Sequence, residues 1–311
     1  MNVADTDRME LSLFHSGFRR TSQKEEADLI LINTCSIREK AEQKIFSLLG
    51  QVRPLKKINP ELMIGLTGCL AQQEGESLVK KIPYLDIVLG PDMLERLTQA
   101  IDKAKTHSPL VWIKFESEKT YSIPIKHDER DLGPIKYINI IKGCDKFCSF
   151  CVVPYTRGRE KSREVDEICD EVRQRVFQGA QEIILLGQNV NAYGKRGLKT
   201  PVAFHELLYR VADIPGVKRL RFTTSHPKDF TQDTINAYRD LKGLMNHLHL
   251  PVQCGSNRIL EAMRRGHSVE DYLHIIDLLK EAVPDIALST DIIVGFPGET
   301  DSEFRHTLKL M

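Results

Sequence analysis

Residues 137–159 decide the fold and read Tyr137-Ile-Asn-Ile-Ile-Lys-Gly-Cys-Asp-Lys-Phe-Cys-Ser-Phe-Cys-Val-Val-Pro-Tyr-Thr-Arg-Gly-Arg159. The stretch starts as an apolar, strand-like segment and continues into a loop that holds Cys144, Cys148 and Cys151. Parallel α/β folds place their chemistry on the loops that leave the carboxyl ends of strands. We therefore predict a parallel α/β fold whose functional site includes these three cysteines.

The three cysteines of this loop suit an iron–sulfur cluster. Cysteine thiolate is the usual protein ligand of such clusters, and three ligands for a [4Fe–4S] cluster leave one iron open to a substrate. Structural zinc is an alternative, but it prefers four ligands and the nearest further Cys or His is far along the chain. The loop could also contain a disulfide with a spare thiol, or three core cysteines. The total of seven cysteines favours a reducing compartment and metal chemistry over a disulfide framework.

Composition limits the class of protein. The chain has 311 residues and a formal net charge of +1, so about two domains are expected and any nucleic-acid contact must come from local basic patches. No apolar run is long enough to span a bilayer, and residues 1–8 lack the basic start and apolar core of a signal peptide. We expect a cytoplasmic protein without a membrane partner.

Residues 1–115 alternate short apolar runs with helical periodicity. Runs at 28–33, 62–67 and 87–90 are typical of buried parallel strands, with helices predicted over 37–57 and 71–81. This pattern predicts a flavodoxin-like, doubly wound parallel sheet. Residues 116–134 are polar and are interpreted as a linker that can add an edge strand.

Residues 135–311 alternate strand and helix patterns five times, which predicts a parallel β/α barrel with its site at the strand carboxyl ends. The predicted strands are 136–142, 182–188, 219–224, 247–253 and 287–294. The predicted helices are 165–178, 202–213, 231–241, 257–282 and 301–311.

Two further cysteines follow predicted strands of the first domain. Cys35 and Cys69 come after neighbouring parallel strands, so they can approach each other at one edge of the sheet. Two buried apolar cysteines are the alternative. Cys169 falls in a predicted helix and Cys254 follows the fourth barrel strand, and both are interpreted as core residues.

Polar and small residues follow the predicted barrel strands. The amides of Gln188, Asn189 and Asn191 can donate to a carboxylate or a ribose hydroxyl, although Asn is also common in turns. Ser225 and His226 end the third strand, and either is a candidate cofactor contact. Gly295 follows the fifth strand, where its backbone could approach a flat ring or simply form a turn.

Four basic residues lie within 157–163, immediately after the cysteine loop. A guanidinium such as that of Arg157 can donate two parallel hydrogen bonds to a carboxylate or a phosphate. We therefore predict that this run binds a cofactor carboxylate or RNA phosphates. A solvated charged surface is the alternative.

The cysteine loop resembles that of the radical S-adenosylmethionine (SAM) enzymes. Three further stretches resemble the methylthiotransferase branch of that family, and within it the members that act on isopentenyl-adenosine in tRNA. They are Ile32-Asn-Thr-Cys-Ser-Ile-Arg-Glu-Lys-Ala-Glu-Gln-Lys44, Gly68-Cys-Leu-Ala-Gln-Gln-Glu-Gly75 and Leu186-Gly-Gln-Asn-Val-Asn-Ala-Tyr-Gly194. The resemblance covers essentially the whole chain.

The resemblance implies two clusters and a cofactor. The loop cysteines would bind one [4Fe–4S] cluster whose open iron holds SAM. Phe150 would lie near the SAM adenine, and the segment that contains Gly295 would contact the same ring. Cys35 and Cys69 would help to hold a second, auxiliary [4Fe–4S] cluster.

The resemblance also implies the reaction and its partners. The first cluster would pass an electron to SAM, a deoxyadenosyl radical would remove hydrogen from an adenine carbon beside the anticodon, and a methylthio group would follow. The partners would be a tRNA substrate, an electron donor such as a flavodoxin and a sulfur source, and the protein would be a monomer. A sibling enzyme for another tRNA base or a ribosomal protein, and a non-catalytic iron–sulfur fragment, are the alternatives.

The resemblance implies that the second domain is a partial (β/α) radical SAM barrel of six units, and it predicts that parts of the family pattern lie beyond this chain. They are the first strand, a third auxiliary cysteine upstream of Met1, the sixth barrel strand and a carboxyl-terminal RNA-binding domain. The expectations that follow are a weakly held auxiliary cluster, marginal solubility, and incomplete methylthiolation by the 311-residue chain alone.

Overall fold

The computed structural model describes residues 1–34, 39–115, 121–123 and 133–311, without the side chains of 39–42. The chain divides into two units. The first contains Met1–Lys119 and Val152–Gly158, and the second contains Thr120–Cys151 and Arg159–Met311. Among the described residues, no helix has the length and apolarity needed to cross a membrane.

The first unit is built on a parallel sheet whose four strands follow one another in chain order. The strands are β1 (Leu29–Thr34), β2 (Met63–Gly68), β3 (Ile87–Leu89) and β4 (Leu110–Trp112). The helices are α1 (Asn2–His15), α2 (Glu39–Ile58), α3 (Cys69–Glu74), α4 (Glu76–Lys81), α5 (Leu97–Ala104) and α6 (Val153–Thr156).

Alternation along these strands gives the sheet two apolar faces. Ile64, Leu66 and Val88 pack in one core cluster, and Ile87 and Leu89 pack in the other. Successive strand residues point to opposite faces, so a sheet that is apolar at every position must be covered on both sides. The prediction of a parallel α/β unit is confirmed. The four described strands run in simple chain order.

The second unit holds a curved array of parallel strands. Ile138 pairs with Leu185, and Leu185 pairs with Phe222, in a three-stranded sheet. A parallel bridge from Leu220 to Leu244 then leads to the last pair of strands. The strands are β5 (Ile135–Asn139), β6 (Ile141–Lys142), β7 (Lys161–Ser162), β8 (Glu182–Leu186), β9 (Arg219–Thr223), β10 (His247–His249) and β11 (Ala287–Ser289). Strands β6 and β7 form a separate antiparallel pair.

Helices cover the outside of this array and supply one continuous apolar core. Ile168, Leu207 and Ile235 pack against the strand residues Ile183 and Leu220. The helices are α7 (Val165–Phe177), α8 (Phe204–Ala212), α9 (Gln232–Asp240), α10 (Asn257–Ala262), α11 (Val269–Ala282) and α12 (Asp301–Leu310). Strand–helix alternation therefore produces the predicted β/α architecture.

Three local predictions are wrong. The strand predicted over 287–294 covers only Ala287–Ser289. The helix predicted over 257–282 is interrupted, because Arg264 and Gly266 have φ of +57° and +66° and Ser268 begins a new helix as its N-cap. The strand predicted over 247–253 ends at His249, because Pro251 has no N–H for the ladder. Helices α1 and α5 and strand β4 were not predicted. The predicted linker, 116–134, lies largely outside the described residues.

Candidate functional site

The cysteine loop follows β6 and turns sharply twice. Gly143 and Phe147 have φ of +73° and +48°, and the amide of Cys151 donates to the carbonyl of Cys148 at 2.9 Å. The side chains of Cys144 and Cys148 are buried and that of Cys151 is half-buried. The loop therefore points its cysteines into the protein.

The surroundings of Cys144 make its thiol hard to ionise. Burial is the largest cause that raises the pKa of the Cys144 thiol to about 12, and Cys148 and Cys151 are among the neighbours that raise it further. A buried thiol of this kind stays neutral unless a bound metal cation favours the thiolate. The donors of the loop fit such a cation.

A single metal ion and an iron–sulfur cluster place different demands on the loop cysteines. In the described part of the chain, no three His, Cys, Asp or Glu side chains converge on a point that would hold a single metal ion. A multi-iron cluster takes each cysteine on a different iron atom, so its ligands need not converge in that way.

A buried carboxylate organises the strand ends beside the loop. Asp229 accepts hydrogen bonds from Lys146 at 2.8 Å, from Asn189 at 2.6 Å and from Lys195. Burial alone would raise the pKa of Asp229, but these donors outweigh it and lower the pKa to about 2. Asp229 is therefore an anion that fixes Lys146 of the cysteine loop and Asn189 after β8.

Asn191 joins the ends of β8 and β9. Its Nδ2 donates to the carbonyl of His226 at 3.0 Å, and its Oδ1 accepts from the amide of His226 at 2.9 Å. Both bonds lie inside the protein, so the amide of Asn191 positions the loop after β9. Gln188 is half-buried just after β8.

Several buried polar atoms at the strand ends have no hydrogen-bond partner within the described structure. They are Nδ2 and Oδ1 of Asn139, Oδ1 of Asn189, Oγ of Ser225 and Nε2 of His226. Burying a polar atom without a partner costs free energy, so such atoms are candidates to bind a ligand. Asn139 was not predicted, because one Asn inside an apolar strand gives no distinctive pattern.

His226 is a neutral side chain in this group. Burial is the largest cause that lowers its pKa to about 2, and the nearby Arg265 and His267 lower it further. Its ring meets that of His267 edge to face, with centroids 5.6 Å apart. His226 can therefore donate or accept a hydrogen bond near neutral pH without bringing a charge.

Phe150 and Gly295 have open surroundings. Phe150 is an exposed large apolar side chain. Gly295 has φ of +74°, and a Cβ built there would meet no heavy atom within 4 Å. Its N–H donates to Glu299 at 2.6 Å. The left-handed backbone thus explains why residue 295 is a glycine. The close approach of the Gly295 backbone to a flat ring stays a prediction.

The first unit carries the other cysteines. Thr34 pairs with Gly68 at the ends of β1 and β2, and Cys69 opens α3 directly afterwards. A Cβ on Gly68 would lie 2.4 Å from the carbonyl oxygen of Thr34, so only glycine fits this junction. Cys35 lies outside the described residues.

Arg157 lies beside Cys69 within the first unit. Its guanidinium is buried and donates to Asp5 and Asn2, each at 2.7 Å, and to the Sγ of Cys69 at 3.3 Å. Its N–H groups are thus directed at a cysteine and two α1 residues. We predicted a cofactor carboxylate or a phosphate as its partner.

The basic run does not form one charged surface. Arg163 is fully buried and donates to Glu171 and to the Asn139 carbonyl, each at 2.7 Å. Arg159 is exposed, bonds Asp145 at 2.6 Å and stacks on Phe147. Cys169 and Cys254 are buried, as expected of core residues.

Sequence reasoning missed Arg265. Its side chain is buried, and NH1 lies 3.6 Å from the Sγ of Cys148. The residue falls in the break between α10 and α11, which the periodicity assigned to one long helix. The only sequence signal was the run Arg264-Arg-Gly-His267, whose glycine hints at a turn.

Comparison with known proteins decides the family. A family model described as Radical SAM superfamily matches residues 138–311, and one described as Uncharacterized protein family UPF0004 matches residues 1–90. The tRNA-2-methylthio-N(6)-dimethylallyladenosine synthase of Neisseria meningitidis serogroup B is 50% identical over all of this chain, which spans 71% of that protein. The synthase of Yersinia enterocolitica is also 50% identical, and the chain spans 66% of it. The chain belongs to the radical SAM superfamily and to this synthase family.

Solved structures agree with the fold of this radical SAM chain. The methyltransferase TsrM from Kitasatospora setae, solved with tryptophan and a SAM analogue, has a TM-score of 0.62 at 16% identity and covers 96% of this chain and 62% of its own. The cobalamin-dependent radical enzyme OxsB has a TM-score of 0.60 at 13% identity, over 91% of this chain and 43% of its own. The family resemblance and the α/β fold predicted from the sequence are confirmed.

Proposed function

We propose that this chain transfers a methylthio group to N6-dimethylallyladenosine in tRNA. One observation carries the proposal: the 50% identity to synthases named for that reaction extends over the whole chain. A match confined to residues 138–311 would support only the wider radical SAM superfamily. The matched region instead also covers the first unit.

The cofactor residues of the proposal are Cys144, Cys148 and Cys151 for a [4Fe–4S] cluster. When bound, the cluster and SAM would supply one-electron chemistry able to functionalise an unreactive adenine carbon. The cysteines would hold the cluster in a buried loop, away from water and oxygen. This burial is consistent with the raised pKa of Cys144 in the free chain.

Other residues of the second unit would orient SAM. Ser225 and Asn189 carry buried oxygen atoms that could accept from the ammonium group or a ribose hydroxyl of SAM. His226, neutral and buried, could donate or accept there. Asp229 would act indirectly, because its three donors already engage its carboxylate. The exposed ring of Phe150 could stack on adenine.

The first unit would hold the auxiliary cluster through Cys35 and Cys69. Arg157 supports this part of the proposal, because its N–H donates to the sulfur of Cys69. A guanidinium beside a thiolate offsets part of the negative charge that cysteine ligands bring together. Arg157 would therefore stabilise the ligand set.

A chimera tests the proposed function. We would replace the homologous part of the Neisseria synthase with this chain, because the chain spans 71% of that protein. Cells that lack their own synthase would express the chimera, and tRNA nucleosides would be measured by mass spectrometry. The 2-methylthio nucleoside should appear, and should vanish with Cys148→Ser. A chimera that is loaded with iron but modifies another nucleoside, or none, would show that the proposal is wrong.

A further inference from the structure

Arg265 touches a cysteine of the loop directly. NH1 lies 3.6 Å from the Sγ of Cys148, and NH2 donates to the carbonyl of Pro251 at 2.7 Å. The side chain is 5% exposed, so water screens its charge little. Lys146, which belongs to the loop itself, is already paired with Asp229.

The backbone holds Arg265 in place. At the end of α10, the amide of Arg265 bonds the carbonyl of Leu260, and the amide of Arg264 bonds that of Glu261. With Arg264 at φ +57°, this is a Schellman motif that places Arg265 just past the helix end. The position is thus set by helix termination.

The same helix end is fastened to the cysteine loop. The amide of Ser149 donates to the carbonyl of Met263 at 3.1 Å, and its hydroxyl donates to the carbonyl of Ala262 at 3.0 Å. Ser149 directly follows Cys148. Because hydrogen bonds from Ser149 hold the loop against the helix end, they also hold Cys148 close to Arg265.

We propose that Arg265 sets the reduction potential of the cluster held by Cys144, Cys148 and Cys151; this inference rests on the proposed function. A reduced cluster carries one more negative charge than the oxidised one. A fixed positive charge and an N–H on a ligand sulfur stabilise the reduced state, and so raise the potential. Arg265 is a positioning and tuning residue that need not touch SAM.

The test is a redox titration followed by EPR on anaerobically reconstituted chain in which Cys35 and Cys69 are Ser. Arg265→Gln removes the charge, and Arg265→Lys keeps it. Arg264→Asn is the matched control, because it removes an exposed charge next door and suits left-handed backbone. The iron content of every variant is also measured, and the wild-type chain is assayed on tRNA.

We expect Arg265→Gln to lower the equilibrium constant for reduction of the cluster about tenfold or more. This corresponds to a fall of about 59 mV in the midpoint potential for one electron. Arg265→Lys should recover most of that loss, and Arg264→Asn should leave the potential unchanged. The midpoint does not depend on cluster occupancy, so partial loading does not obscure it. Equal potentials in Arg265→Gln and wild type would overturn the inference, as would loss of all iron in both Arg265 variants, which would indicate a purely structural role. If the wild-type chain itself takes up no iron, the proposed function fails instead.

Discussion

Asp229 shows how one buried side chain orders the strand ends of the second unit. Its carboxylate receives Lys146, Asn189 and Lys195, and these donors overcome the effect of burial on its pKa. An unfolded Asp has a pKa near 3.9, so the lowered pKa of about 2 means that the folded state favours the ionised form. The stabilisation is complete above about pH 4 and is lost as the pH falls towards 2.

Asp229→Asn should therefore destabilise the protein by about 2–3 kcal/mol at pH 7. The difference from wild type should narrow between about pH 4 and pH 2, as the wild-type carboxylate becomes protonated. Urea unfolding at several pH values measures both effects. Asp233→Asn is the control, because its exposed carboxylate lies 4.0 Å from His205 and should change stability by less than about 1 kcal/mol. A difference that grows at low pH would contradict this sign.

Arg157 provides a second test within the first unit. Arg157→Met leaves the buried Asp5 without its 2.7 Å partner, and breaking a buried ion pair costs about 3–5 kcal/mol. Adding Asp5→Asn should restore part of that loss, because the unpaired charge disappears. Urea unfolding of the two single variants and the double variant measures the coupling.

Arg159→Met is the matched control for Arg157. Arg159 lies two residues further on, but its side chain is 58% exposed and its partner is Asp145. An exposed pair contributes about 0–1 kcal/mol. Equal losses in Arg157→Met and Arg159→Met would mean that the buried contacts of Arg157 do not stabilise the first unit.

At the scale of elements, the junction of β2 and α3 positions Cys69. Gly68 has φ of +93° and lies against the backbone of Thr34, so the strand and the helix meet without room for a side chain. Gly17 has a similar φ of +86°, but a Cβ there would meet nothing within 4 Å. A comparison of substitutions at these two glycines therefore separates the cost of backbone strain from the cost of a steric clash.

Gly68→Ala should cost more than about 2 kcal/mol, because strain and a backbone clash act together. Gly17→Ala should cost about 1 kcal/mol from strain alone. Thermal unfolding gives the two losses, and iron content after reconstitution shows whether Cys69 has moved. Similar losses at both glycines would show that the junction can relax around a methyl group.

The sequence predicts best those elements that have a distinctive pattern of apolar residues. The runs 28–33 and 62–67 are apolar at nearly every position, and they became β1 and β2 because a parallel sheet is buried on both faces. Helix α5 was missed although it buries Leu97, Ala100 and Ile101, because eight residues are too short a stretch for periodicity to decide.

The site was predictable only where its chemistry is local in sequence. Three cysteines within one loop could be found from their spacing. The partners of Arg157 include Asp5 and Cys69, which are distant in sequence, so a local charge pattern could not reveal them. Arg265 reaches Cys148 only because α10 ends in a Schellman motif, and helix periodicity does not predict that ending.

At the scale of the whole molecule, each unit contains cysteines and a buried arginine that bonds one of them. Arg157 bonds Cys69 in the first unit, and Arg265 bonds Cys148 in the second. A net charge of +1 gives no sign of these two buried arginines. We infer that the arginines accompany the negative charge that cysteine-bound clusters would bring.

The measurement that tests the central claim most directly is EPR of the anaerobically reconstituted, reduced chain with Cys35 and Cys69 replaced by Ser. Only the loop of Cys144, Cys148 and Cys151 can then hold a cluster. We predict a reduced [4Fe–4S] signal that changes when SAM is added and disappears with Cys148→Ser. Stoichiometric zinc without iron, or an iron signal that survives the loss of Cys148 and ignores SAM, would contradict the account.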